Sequence, residues 1–318
     1  MAEPLLRVQD LQVGFASDNG LSTAVDGVSF DVHAGQIVGL AGESGCGKST
    51  IAGAILRVLP PPAIISAGAV VFGGRDVLRM TQADLRAFRW RQVSMVFQSA
   101  MNALHPVLPI GEQFVDVLQA HTTITRKQAL ARAEEMLALV HIDRKRVSGY
   151  AHELSGGMRQ RVVIALALCL EPKLVIFDEP TTALDVVVQR DILRAILALQ
   201  QQRGFAVIFI THDLPIMLSL CQRIGVLYAG KLVEFAESDD VRNEPKHPYT
   251  KQLLGAFSSS RSSQQTAEAS ASTLAGPPSQ TGCRFQSRCR DRFEPCQKSA
   301  PALEQRNHQH WVACHRAQ

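Results

Sequence analysis

The chain has 318 residues, 46% hydrophobic and 19% charged, with a net charge of +4. That is the make-up of a soluble globular protein of one large or two ordinary domains, and the charge is too small to argue for nucleic acid as a partner. The longest apolar run, Val162–Leu170, falls well short of the roughly 20 residues a membrane helix needs, and the N-terminus lacks a basic region followed by an apolar core. The chain is therefore expected to stay in the cytoplasm and to meet a membrane only through partners.

Leu5–Val13 alternates as a strand does, Val28–Val32 is a second strand, and Gly35 turns the chain into the buried apolar run Ile37–Ala41. Next comes Gly42-Glu43-Ser44-Gly45-Cys46-Gly47-Lys48-Ser49-Thr50, which fits G-x-x-x-x-G-K-[ST] between a strand and a helix expected over Ser49–Leu59. Glycines let backbone wrap closely round a phosphate, and N–H groups at a helix start form an anion nest. Lys48 would place a charge on the β- and γ-phosphates, and the Ser49 hydroxyl would bind Mg²⁺. Pro60-Pro61-Pro62 is expected to end the helix. Ala69–Phe72 reads as a strand closed by Gly73-Gly74, and Val93–Phe97 as a short one stopping at Gln98.

Thr125 and Gln128 form a capping box, and Leu130, Ala133, Leu137 and Val140 follow at helical spacing. Leu154-Ser155-Gly156-Gly157-Met158-Arg159-Gln160 opens an apolar helix to Leu170. It reads either as an ordinary helix start or as a second anion site. Leu174–Phe177 is a strand that delivers Asp178 and Glu179. Such a pair often caps a helix; beside a phosphate loop, Asp178 would hold Mg²⁺ and Glu179 would orient and deprotonate the attacking water. Val186–Gln202 is a helix ended near Gly204, Ala206–Ile210 a strand delivering Thr211 and His212, and Ile224–Tyr228 with Leu232–Phe235 a hairpin through Gly230. Helices alternating with buried strands predict an α/β fold on a parallel sheet covered on both faces. Ser258–Gln280 has almost nothing to bury and reads as a linker.

The tail beyond it, from Thr281, carries seven basic and three acidic residues, a difference that equals the net charge of the whole chain. Cys283, Cys289, Cys296 and Cys314 cluster there, whereas Cys46, Cys169 and Cys221 are scattered. In a cytosolic chain, clustered thiols favour a metal over disulfides, and four of them suit zinc or an iron–sulfur cluster. Their loose spacing weakens zinc. His308, His310 and His315 are alternative ligands but are expected on the surface.

From about Leu5 to Phe257 these motifs resemble, in order and spacing, the ATP-binding subunit of an ABC transporter. The resemblance rests on the phosphate loop, Gln98, Leu154–Gln160, Asp178-Glu179, Ala183-Leu184-Asp185 and His212. It implies a P-loop NTPase cassette over residues 1–257, with a RecA-like core, an antiparallel β subdomain and a helical subdomain at about residues 99–160. A linker at 258–281 and a Cys-rich C-terminal domain at 282–318 would follow. It further implies two cassettes paired head to tail, with Ser155, Gly156 and Gly157 serving the γ-phosphate of the opposite cassette's ATP. By the same resemblance Gln98 would contact Mg²⁺ and the attacking water, and His212 the γ-phosphate. Asp185 would bridge to the opposite cassette, and Phe15 would stack on adenine unless it is simply a core residue.

His247-Pro248-Tyr249-Thr250, Val107–Gln113 and Gly282-Cys283-x-Phe285-x-x-Arg288-Cys289 resemble the peptide-importer branch, some members of which carry a four-iron cluster at these cysteines. The branch implies import of dipeptides or oligopeptides, with oligosaccharides or nickel as alternative cargo. It also implies a second ATPase subunit (a sister chain or a second copy), two permeases, an extracytoplasmic solute-binding protein, and a peripheral place on the cytoplasmic face of the membrane. A soluble ABC ATPase acting on ribosomes or DNA is the remaining alternative. The single cassette and the short Val93–Ser155 interval count against it.

Overall fold

A computed structural model describes residues 3–18, 20–98, 103–181, 185–259, 278–279, 281–307 and 309–317. Ala183, Leu184, His308 and almost all of the expected linker lie outside the described residues.

In chain order, β1 (Leu6–Ser17) and β2 (Gly20–Val32) precede β3 (Ile37–Ala41), α1 (Lys48–Leu56), β4 (Ala63–Phe72) and β5 (Arg75–Asp76). Then come α2 (Gln82–Phe88), β6 (Val93–Val96), α3 (Ile110–His121), α4 (Arg126–Leu139), α5 (Gly156–Leu168), β7 (Leu174–Asp178), α6 (Val186–Arg203) and β8 (Ala206–Ile210). The chain continues through α7 (Leu214–Leu220), β9 (Arg223–Tyr228), β10 (Lys231–Glu237), α8 (Ser238–Asn243) and α9 (Pro248–Ser259). It ends with α10 (Glu294–Lys298), β11 (Glu304–Asn307) and β12 (His310–Val312).

The chain divides into two compact units. One comprises Met1–Leu5, Val32–Gln36 and Asp76–Phe209. Within it β6 and β7 run parallel, from Val93 opposite Leu174 to Val96 opposite Phe177, and β8 is the other neighbour of β7. Every side chain of β7 and β8 is buried, the signature of parallel strands covered on both faces. The Thr125–Gln128 capping box forms as the residues predict and starts α4. Gly204, at φ 69°, ends α6 in the left-handed conformation that glycine adopts without strain.

The other unit comprises Leu6–Asp31, Ile37–Arg75 and Ile210–Gln318. Its antiparallel layer pairs β1 with β4, from Leu6 opposite Phe72 to Phe15 opposite Ala63, so both strands run longer than their apolar patterns alone suggest. Its second layer has β3 parallel to β9, then the β9–β10 hairpin, whose turn residues Ala229 and Gly230 have φ of 49° and 85°. The order continues β10, β12, β11, with Phe235 opposite Trp311. The tail thus adds two strands to one edge of the sheet that contains β3, the strand leading into the phosphate loop.

Helix α1 stops before the prolines. Arg57, at φ 50°, closes it with its N–H on the carbonyls of Ala54 and Gly53, three residues before Pro60. The expectation that Pro60–Pro62 terminate the helix is corrected accordingly: the left-handed cap does so first.

Candidate functional site

The phosphate loop leaves β3 at Gly42 and enters α1 at Lys48. Gly42 has φ 146°, and a Cβ there would lie 2.3 Å from the Leu227 carbonyl oxygen. At Gly47, φ 107°, it would lie 2.5 Å from that of Ala24. Only glycine fits at either position, so the bend that turns N–H groups inward is built into the sequence. Lys48 is 5% exposed, and its ammonium donates to the carbonyls of Gly42 and Glu43, both at 2.8 Å. It also lies 3.6 Å from the buried thiol of Cys46. Burial pushes that thiol up, and the neighbouring Lys48 charge opposes the shift. Ser44, Gly45 and Ser49 are exposed and Thr50 is half-buried, as groups facing a ligand at a helix start should be.

In the other unit, β7 ends on Asp178, 3% exposed, and Glu179 follows at φ 46°. A glutamate on left-handed backbone is uncommon and needs its surroundings to hold the turn; Glu171 shares the conformation, so it is the contact with Gln98 that bears on the site. Adjacent strands bring Gln98 alongside. Its Nε2 donates to Glu179 Oε2 at 2.9 Å, joining two residues 81 positions apart that were both expected at the site. The amide thus orients the carboxylate and leaves its own carbonyl end for a cation or water.

Ser155 caps α5, its hydroxyl accepting the Met158 N–H at 3.3 Å. Gly156 and Gly157 form the first turn; a Cβ on Gly157 would meet Val188 at 2.6 Å. Arg159 steadies the turn through the Leu154 carbonyl. Asp185 caps α6, accepting from the N–H groups of Val187 and Val188, so in this structure its carboxylate serves its own helix. His212 is exposed just after β8, between buried Thr211 and the α7 cap Asp213. Phe15 is half-buried in β1.

The residues fit a nucleotide and its cation. Within its own unit the loop has the steric cradle and an interior ammonium beside the exposed Ser49 hydroxyl, and within the other unit Asp178 and Gln98 each offer oxygen, the donor Mg²⁺ requires. In the tail, Cys283, Cys289, Cys296 and Cys314 line one cavity of about 20 Å³ together with His247, Phe285 and His315. Burial pushes up the thiols of Cys283 and Cys289, and neighbouring cysteines add to the shift. Among the described residues no three His, Cys, Asp or Glu side chains converge closely enough to hold a metal ion.

His310 departs from expectation. It is 2% exposed, not on the surface, and its Nε2 lies 2.7 Å from the fully buried carboxylate of Glu234, which also accepts the N–H groups of Lys246 and His247. His315 is half-buried, with Nε2 on the Ser299 carbonyl.

The sequence carried no signal for the contacts that reach the loop from α9 and the tail. Arg288 grips Glu43, 245 residues away, with two hydrogen bonds, and the Tyr249 hydroxyl accepts the Glu43 N–H. Arg288 stood in a recognised motif, but nothing local says what it touches.

Comparison with known proteins accords with this geometry. Residues 25–182 match the family described as ABC transporter. A probable peptide ABC transporter ATP-binding protein of Sinorhizobium fredii is 41% identical over 99% of this chain and 96% of its own length. The chain belongs to the ABC transporter ATP-binding proteins. It is accordingly an ABC-type ATPase that uses ATP with Mg²⁺. Residues 233–296 of this ABC protein also match the C-terminal region of oligopeptide/dipeptide transporters. The dipeptide transport ATP-binding protein of Bacillus subtilis is 39% identical over 98% of this chain and 94% of its own. Among solved structures, the dimeric bacterial ABC transporter cassette MJ0796 superposes with a TM-score of 0.65 at 24% identity, over 73% of this chain and 98% of that one, which supports the P-loop ABC fold.

Proposed function

We propose that this subunit powers the import of dipeptides or oligopeptides, paired with a second ATPase subunit beneath two permeases that receive cargo from a solute-binding protein. What carries the cargo class is the match of residues 233–296, a region outside the hydrolytic machinery, to oligopeptide/dipeptide transporters. The division into a cassette (1–257), a linker (258–281) and a Cys-rich region (282–318), and the peripheral place on the cytoplasmic face, belong to the same reading.

In the mechanism, the loop N–H groups and Lys48 hold the β- and γ-phosphates of ATP, with Phe15 against the adenine. Ser49, Asp178 and Gln98 are the residues expected to offer oxygen to Mg²⁺, which would supply neutralising charge to the phosphate oxygens. Glu179, oriented by Gln98, takes a proton from the water that attacks the γ-phosphorus; the bond to the β–γ bridging oxygen breaks and ADP leaves. His212 holds the γ-phosphate. Ser155, Gly156 and Gly157 supply a helix start to the opposite cassette's ATP, so hydrolysis requires closure of the pair. The four tail cysteines would be the ligands of a four-iron cluster or a zinc ion, although their side chains do not converge on one point here; such a centre would have to draw them together, and would then staple a segment too poor in apolar residues to fold alone.

Two experiments test this. The chain should co-purify with two integral membrane proteins, and ATPase activity of that complex should rise when a peptide-loaded binding protein is added. Stimulation by a sugar- or nickel-loaded binding protein instead would overturn the cargo. Anaerobically purified protein should be brown and be bleached by Cys289→Ser; colourless protein with one zinc per chain selects zinc, and protein free of both metals refutes the centre.

A further inference from the structure

We propose that Arg288 is a positioning residue for ATP binding, setting the place of Lys48 by gripping Glu43 of the phosphate loop. The inference rests on the loop's holding nucleotide, as proposed above, and adds a role for the tail in that binding.

The contacts form a continuous chain. Arg288 Nη1 and Nη2 donate to Glu43 Oε2 and Oε1 at 2.9 and 2.8 Å, the two-pronged geometry that makes arginine–carboxylate pairs directional. The Arg288 side chain is 18% exposed and that of Glu43 45%, so the pair is open to solvent on the Glu43 side and its worth rests on its two-pronged geometry rather than on burial. Glu43 is also held at its backbone: its N–H donates to the buried Tyr249 hydroxyl at 3.1 Å. Its carbonyl is one of the two that receive the Lys48 ammonium. Moving Glu43 therefore moves the seat of the lysine that would meet the phosphates.

Arg288 is itself fixed by the tail. Its guanidinium lies 5.7 Å from the Tyr228 ring and 5.9 Å from the Phe285 ring. Phe285 packs edge-on against Tyr228 and beside Tyr249 and His247. Arg284 adds a second strap, bonding to the Ala229 carbonyl and to Asp26, while the neighbouring Gly230 N–H donates to the Cys46 carbonyl inside the loop. The order of parts is tail, arginine, loop carboxylate, loop carbonyl, lysine. None of it depends on a metal.

The test is a double-mutant cycle on the full-length chain, titrated with a fluorescent ATP analogue. Arg288→Ala should raise the Kd roughly three- to tenfold, the scale of a well-formed bidentate ion pair. Arg288→Lys, which keeps one contact, should fall between wild type and Ala. In a Glu43→Ala background, Arg288→Ala should have no further effect. In the transporter complex, Arg288→Ala should raise KM for ATP with kcat at saturation within about twofold. An unchanged Kd, or the same loss from Arg288→Ala with and without Glu43, overturns the proposal. Should Arg288→Ala fail to fold, Arg288→Lys read in both Glu43 backgrounds decides it.

Discussion

Glu179 stands at φ 46° with Gln98 on one oxygen, and that contact bears on how it works. Glu179→Gln removes the proposed base but keeps the shape. ATP binding should persist while turnover falls on the order of 10²–10⁴-fold, read as ATPase rate against analogue binding. Wild-type turnover by this variant would remove Glu179 from the role of base. Lys48→Ala removes the charge inside the loop, and nucleotide affinity should drop tenfold or more, on the order expected for a P-loop lysine. Gly42→Ala acts through backbone. Its methyl would stand 2.3 Å from a carbonyl oxygen at a φ that other residues rarely adopt. It should lower stability by about 1–3 kcal/mol and abolish analogue binding together, since the loop cannot keep its bend. These residues were largely legible in the sequence because the loop and the strand-terminal carboxylates act through local geometry. The Gln98–Glu179 bond was legible as two candidates but not as a contact, since only the parallel pairing of β6 and β7 joins them.

At the scale of elements, β10 shows what local pattern cannot convey. Leu232–Phe235 reads as an apolar hairpin strand, yet its Glu234 is fully buried and paired with His310 of β12. Burial alone would push the Glu234 carboxyl up. The hydrogen bonds from His310 and from the N–H groups of Lys246 and His247 outweigh it and hold the group below its ordinary 4.5. A depressed carboxyl contributes stability that is fully present above the ordinary value and is lost as pH falls through the folded-state value. Thermal midpoints should therefore decline in acid below about pH 4.5. Glu234→Gln should flatten that decline. His310→Ala leaves the buried carboxylate short of a donor and should cost about 1–3 kcal/mol at neutral pH, measured by denaturant unfolding. His310 was expected on the surface; β12 pairing with β10 sets it against a carboxylate 76 residues away and reversed that.

For the whole molecule, the proposed pairing of cassettes rests on two helix starts in one chain, each suited to an anion. If the proposed pairing holds, Ser155→Arg should leave analogue affinity of the chain unchanged and sharply reduce ATPase activity of the assembled transporter, because the altered turn would serve the other subunit's ATP. Equal loss of affinity and activity would place that turn at the chain's own nucleotide and undo the head-to-tail reading. The tail is bound into the unit that holds the phosphate loop, through β12 on β10 and Arg288 on Glu43.

The amino-acid order by itself determined the phosphate loop, the carboxylate pair, the glycine starts of α5, the alternation that makes an α/β sheet, and the cysteine cluster. In each case the cause lies within a few residues: a φ only glycine tolerates, a cap, a periodicity, a strand end. Tertiary structure alone decided that the tail extends the cassette's sheet, that His310 is buried against Glu234, and that Arg288 holds Glu43. Those depend on segments far apart in the chain meeting in space. Charge, burial and pairing at such contacts are set by the partner surface, which no local stretch encodes.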